Sequence, residues 1–163
     1  MTENRSFSTH RIERSNEHGP FVADVVSELQ HVRGVELPAD YLSFLRAHNG
    51  GQPAPDFFWV VADDWGSGVY ELFGAQRTAI HASILQNVDW HDIPLKPGML
   101  AIGSDGVFGY ILMSTLSADF GSIHFCCAWS HHPNGYEGQG YWRIADSFSD
   151  LLDHLEKSPD EQE

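Results

Sequence analysis

Positive charge is what this chain has least of. Nine Lys and Arg stand against 23 Asp and Glu, a formal net charge of -14. Nucleic-acid binders set Lys and Arg against phosphate, so a large nucleic-acid-binding face is excluded. The same sign is repelled by anionic membrane surfaces. Cysteine is scarce as well: Cys126 and Cys127 are the only two, and they are neighbours. Adjacent strand residues point to opposite faces, and bridging them takes a strained turn, so a disulfide framework is excluded. No eighteen apolar residues run together, and no membrane-spanning helix is expected. Residues 1–19 hold no apolar stretch of the kind a signal peptide needs. These absences together give the expectation of a cytoplasmic protein with neither a nucleic-acid nor a membrane partner.

What is present reads as one domain. A chain of 163 residues with 42% hydrophobic and 12% aromatic residues can bury a core without disulfide or metal support. Residues 1–19 are polar and read as a flexible N-terminal arm, with an added first strand as the alternative. Residues 20–157 form the domain, and residues 158–163 an acidic disordered tail. From Pro20 the residues Phe21, Val22, Val25, Val26, Leu29 and Val32 recur at helical spacing up to Gly34. A second helix begins near Pro38, carries Tyr41, Leu42, Phe44 and Leu45, and stops at Asn49-Gly50-Gly51.

Strands follow. Phe57–Val61 is an apolar β-prone run, and Val69–Phe73 a shorter one. Residues 76–89 have helical spacing but few apolar residues, and their state is ambiguous. Met99–Ile102, Val107–Thr115, Gly121–Trp129 and Tyr141–Ile144 read as further strands, with Gly103–Gly106 a turn and Ser130–Gly140 a polar loop rich in Gly and His. The last helix is capped at Asp146 or Ser147 and buries Phe148, Leu151, Leu152 and Leu155. Helices, then strands, then a helix predict an α+β fold: an antiparallel sheet with two N-terminal helices and one C-terminal helix packed around it.

The residues offer little catalytic chemistry. Ten histidines are scattered without zinc-type spacing. His124 and Cys126 would share a strand face and could hold two ligands, but half-buried sheet residues are the favoured reading. Ile123, Phe125 and Ala128 around Cys126 and Cys127 predict buried, inert thiols. No catalytic residue, metal or cofactor is expected.

Three segments in order resemble the SUKH superfamily, the Smi/Knr-type domain. They are Leu37-Pro38-Ala39-Asp40-Tyr41-Leu42-Ser43-Phe44-Leu45 with His48-Asn49-Gly50-Gly51; Leu100-Ala101-Ile102-Gly103-Ser104-Asp105 with Gly109; and Ala145-Asp146-Ser147-Phe148-Ser149-Asp150-Leu151-Leu152. Together they span roughly residues 20–156. The resemblance implies an α+β fold with a mainly antiparallel twisted sheet. It also implies a non-catalytic protein-binding module. Many bacterial members are immunity proteins that neutralise a cognate toxin of a polymorphic toxin system, often a nuclease or deaminase. A fungal branch acts as regulatory scaffolds of the cell wall. Departures from the pattern fall at Phe108 and in the loop 130–140.

Charge agrees with the immunity reading, since an acidic surface suits a basic nuclease-like toxin. Acids concentrate in residues 52–97 and again from Ile144 onward. Asn134-Gly135 with Tyr136, Tyr141 and Trp142 nearby would suit an interface loop. The expected partner-binding residues are Asp63, Asp64, Trp65 and Asp105. A regulatory scaffold, or a metal- or thiol-dependent enzyme centred on Cys126 and the histidines, are the competing readings.

Overall fold

The computed structural model describes residues 11–62, 64–88, 95–107, 109–127 and 141–162. Its centre is a five-stranded antiparallel meander: β5 (Glu71–Leu72), β6 (Met99–Ser104), β7 (Gly109–Ser114), β8 (Ile123–Cys127) and β9 (Tyr141–Ala145), in that spatial order. Two smaller pairs accompany it. β1 (Arg11–Glu13) pairs with β2 (Gln52–Ala54), and β3 (Phe57–Val61) with β4 (Trp65–Gly68), both antiparallel. The helices are α1 (Ala23–Arg33), α2 (Ala39–His48) and α3 (Phe148–His154). The α+β architecture expected from the order of elements is the one observed.

Strand alternation divides the meander into two faces. In register, Ile111 opposes Phe125 and Phe125 opposes Trp142, so these three share one face. Tyr110, Cys126 and Tyr141 share the other. Most residues of β6 and β7 are buried, which explains their nearly unbroken apolar sequence. Tyr41, Phe44 and Phe148 meet at ring-centroid distances of 4.9–6.4 Å, joining α2 to α3 in the core.

Local chemistry sets the helix ends. Gly34 takes a left-handed conformation and its N–H bonds Gln30 O, closing α1. α3 opens with Ser147, whose side chain accepts from Asp150 N, while Asp150 returns a bond from Asp146 N at 2.8 Å. Asp40 Oδ1 accepts from Tyr41 N at 2.8 Å. Its Oδ2 accepts from Ser149 N at 2.9 Å and from Ser149 Oγ at 3.0 Å, which ties the start of α2 to the start of α3.

The Asn49-Gly50-Gly51 stop is structural throughout. Asn49 is buried at φ +43°, accepts from Ala75 N at 2.7 Å and donates to Gly19 O at 2.9 Å. Gly50 and Gly51 have φ of +93° and +119°, and a Cβ there would stand 2.8 Å from Leu72 O and 2.5 Å from Glu13 O. Close backbone approach therefore requires glycine at both positions.

Several expectations need correction. Residues 11–13 of the presumed arm form the added strand β1, because the Gly51 turn brings residues 52–54 beside them. From there Asn16 N donates to His48 O at 2.8 Å. The helical spacing predicts Val32 on the buried stripe of α1, but it is 51% exposed and the buried residues of the helix end at Leu29. Val69–Phe73 contracts to the two-residue β5. The ambiguous stretch 76–89 holds two 3-10 segments, Ile80–Ala82 and Ile84–Val88. Strand β6 runs on through Gly103 and Ser104, residues read as turn. Residues 159–161 of the acidic tail form a 3-10 turn. The loop 130–140, with Asn134, Gly135 and Tyr136, lies outside the described residues, as does Phe108.

Candidate partner-binding surface

The β3–β4 hairpin lies against β9 and carries the half-buried aromatics Phe57, Trp59 and Trp65 with the exposed Asp64 at its turn. Trp65 opposes Val61 in the hairpin register. Its ring packs edge-on against Trp142 at 5.2 Å and meets Phe125 at 6.1 Å, so it is half-buried and fixed in direction. Asp64 is exposed beside it at the hairpin turn, where its N–H bonds Val61 O at 3.1 Å. Asp63 lies outside the described residues.

Asp105 reaches the same region from the β6–β7 connection. It is 9% exposed. Its Oδ1 accepts from Val107 N at 2.9 Å and Gly109 N at 2.8 Å, and Ser67 Oγ donates to Oδ2 at 3.1 Å. A buried carboxylate with backbone donors aimed at it braces a turn. The structure thus brings Asp105 and the strand of Trp65 together through Ser67. It directs the Asp105 charge inward, while Asp64 keeps its charge at the surface. Gly109 is tightly enclosed: a Cβ there would strike the Phe125 ring and stand 3.0 Å from Asp105 Oδ2.

Two acidic stretches far apart in sequence also meet here. Phe57 N donates to Glu156 O at 3.0 Å, Glu156 N returns a bond to Phe57 O at 2.9 Å, and Trp59 Nε1 donates to Glu156 Oε1 at 2.9 Å. Exposed Glu156, just past α3, therefore lies at the start of the strand that leads to Asp64, with exposed Asp153 in the last turn of α3.

Sequence reasoning missed the groove on the far side of the β6–β7 turn. It encloses about 330 Å³ between Tyr70, Glu71, His81, Ser104 and Tyr110. Tyr70 is 50% exposed and Val107 78% exposed at its rim. The Arg14 guanidinium sits 5.1 Å from the Tyr70 ring centre and donates to Tyr70 O at 2.8 Å. The sequence pattern predicts Tyr70 within a strand, and β5 begins one residue later. The signal lay in the turn-forming Gly106 and in the β-branched Val107 placed directly after it.

The residues weighed for catalysis have a different environment. Cys126 is 4% exposed, and burial pushes its thiol up, away from the thiolate. Burial likewise pulls His124 below the ordinary histidine value, partly opposed by Asp119. Ser122 Oγ lies 2.8 Å from His124 Nε2 and donates to Asp119 Oδ2 at 3.2 Å, while Ser114 Oγ donates to Asp119 Oδ1 at 2.5 Å. Asp119 approaches the same imidazole nitrogen as the serine, 3.6 Å away. A triad carboxylate instead orients the opposite nitrogen. Ser114 and Ser122 are fully buried, and the cluster closes the β7–β8 connection.

No described helix is long and apolar enough to cross a membrane. A comparison with curated proteins finds no match. Residues 21–154 match the SMI1 / KNR4 family (SUKH-1), and the chain belongs to that family, whose SUKH domains are as a class immunity or regulatory modules.

Proposed function

We propose that the protein is an immunity protein that binds a cognate, basic, nuclease-like toxin in the cytoplasm and occludes its active site. The observation that carries this reading is the union of two acidic segments at β3. The backbone bridge between Phe57 and Glu156, reinforced by Trp59, sets Glu156, and with it the acidic segment that begins at Asp153 in α3, at the open end of the hairpin whose turn bears Asp64. A surface of one sign raises the encounter rate with an oppositely charged partner and rejects like-charged ones. Trp65, immobilised against Trp142 and Phe125, supplies rigid aromatic area at low entropic cost. Asp63 belongs to the same proposed face, and Asp105 contributes by holding the turn that frames it.

The test is to sequence the neighbouring genes for a basic toxin domain and co-express it with this protein, read as growth and as complex formation by the purified proteins. Wild-type protein is expected to protect. Asp64→Lys combined with Asp153→Lys, both at exposed positions, is expected to weaken binding while leaving the thermal unfolding midpoint unchanged. Absence of any complex, or full affinity in the charge-reversed variant, would contradict the proposal.

A further inference from the structure

We propose that Glu17, His18 and Glu71 form a binding site for one divalent transition-metal ion of the zinc type, with the His81 ring beside it. The inference is independent of the toxin-binding reading. His18 Nε2 stands 3.0 Å from Glu71 Oε1 and 3.8 Å from Glu17 Oε2, and one donor atom from each of the three residues lies within 4.8 Å of the others. Donors bound to a single zinc at about 2.1 Å stand about 3.4 Å apart in a tetrahedron, so relative to His18 Nε2 the Glu71 oxygen would move outward and the Glu17 oxygen inward, each by only about 0.4 Å. The imidazole of His81 meets that of His18 edge-on, with ring centroids 5.8 Å apart. One imidazole with two carboxylates suits zinc and its first-row neighbours, whereas calcium takes an all-oxygen shell.

The backbone holding these donors is fixed from several directions. Glu17 and His18 occupy a turn in which Glu17 N bonds Arg14 O at 3.2 Å and Gly19 N bonds Asn16 O at 3.0 Å. Asn49 Nδ2 holds Gly19 O, and Thr78 Oγ1 donates to His18 O at 3.0 Å. Glu71 is on β5, paired with Ser104 in the central sheet. Donors on rigid, independently anchored elements are the arrangement that favours tight coordination. Access comes through the groove, which Glu71 and His81 both line. Arg14 Nη1, 3.6 Å from Glu17 Oε2, supplies the positive charge that a metal ion would replace. The ligands come from positions 17, 18 and 71, so no short sequence spacing announces the set.

Isothermal titration of the untagged full-length protein with Zn²⁺ tests the proposal, with Ca²⁺ as comparison. The expected result is one saturable zinc site and no calcium binding. His18→Ala and Glu71→Gln should each weaken zinc binding at least about tenfold, and Arg14→Gln should strengthen it. Melting in chelator shows that each variant is folded, and Glu71→Gln, nearly isosteric, serves if His18→Ala is not. Because other histidines can capture zinc, a His131→Ala/His132→Ala variant must retain wild-type affinity. No saturable zinc binding, unchanged affinity in a folded His18→Ala or Glu71→Gln variant, or loss of binding in the His131/His132 variant would overturn the site.

Discussion

A carboxylate that accepts two backbone N–H groups and a serine hydroxyl is already satisfied within its own fold. Asp105 is in that position, and Asp64, one strand away on the hairpin, is not. The sequence presents both as acids in turns, and nothing in residue type separates them. What separates them is the path of the chain from β6 to β7, which turns Val107 N and Gly109 N back onto one acid. Asp105→Ala is expected to destabilise the protein by about 1–3 kcal/mol, because buried donors lose their acceptor. Asp64→Ala should stay within about 0.5 kcal/mol of wild type, as exposed substitutions do. Urea unfolding of both variants measures the difference, and equal stabilities would refute the assignment of Asp105 to the turn.

At the scale of elements, the helices were legible because their caps and stripes are local. Gly34, Asn49 and Ser147 end or begin helices where their chemistry allows it. Strands β2 and β4 were not legible. Gln52-Pro53-Ala54 and Trp65-Gly66-Ser67-Gly68 have weak strand propensity, and they pair because the Gly51 turn and the β3 hairpin place partners beside them. The groove and the Glu17–His18–Glu71 cluster were hidden for the same reason, since each depends on contacts between distant segments. Asp40 shows an interaction of this kind with a measurable consequence. Its carboxylate caps the first turn of α2 and holds Ser149 at the start of α3. Asp40→Ala should cost about 1–3 kcal/mol, and a Ser149→Ala variant, which keeps the backbone bond, should cost less. Chemical denaturation ranks the two, and the reverse order would contradict the role given to the Asp40–Ser149 N–H bond.

For the whole molecule, the charge of -14 is the property from which the proposed function starts and the fold is what gives it a direction. Composition alone left open whether the acids merely solvate loops. The Phe57–Glu156 bridge joins the two acidic segments at the open end of the hairpin, beyond the reach of any local pattern. Association driven by such a surface is screened by salt over the Debye length, about 10 Å at 0.1 M and about 3 Å at 1 M. The most direct measurement is the association rate constant of the protein with its toxin partner as ionic strength is raised. A decline of about tenfold or more between low and high salt, with dissociation little changed, is the predicted result. An association rate indifferent to salt would contradict the account.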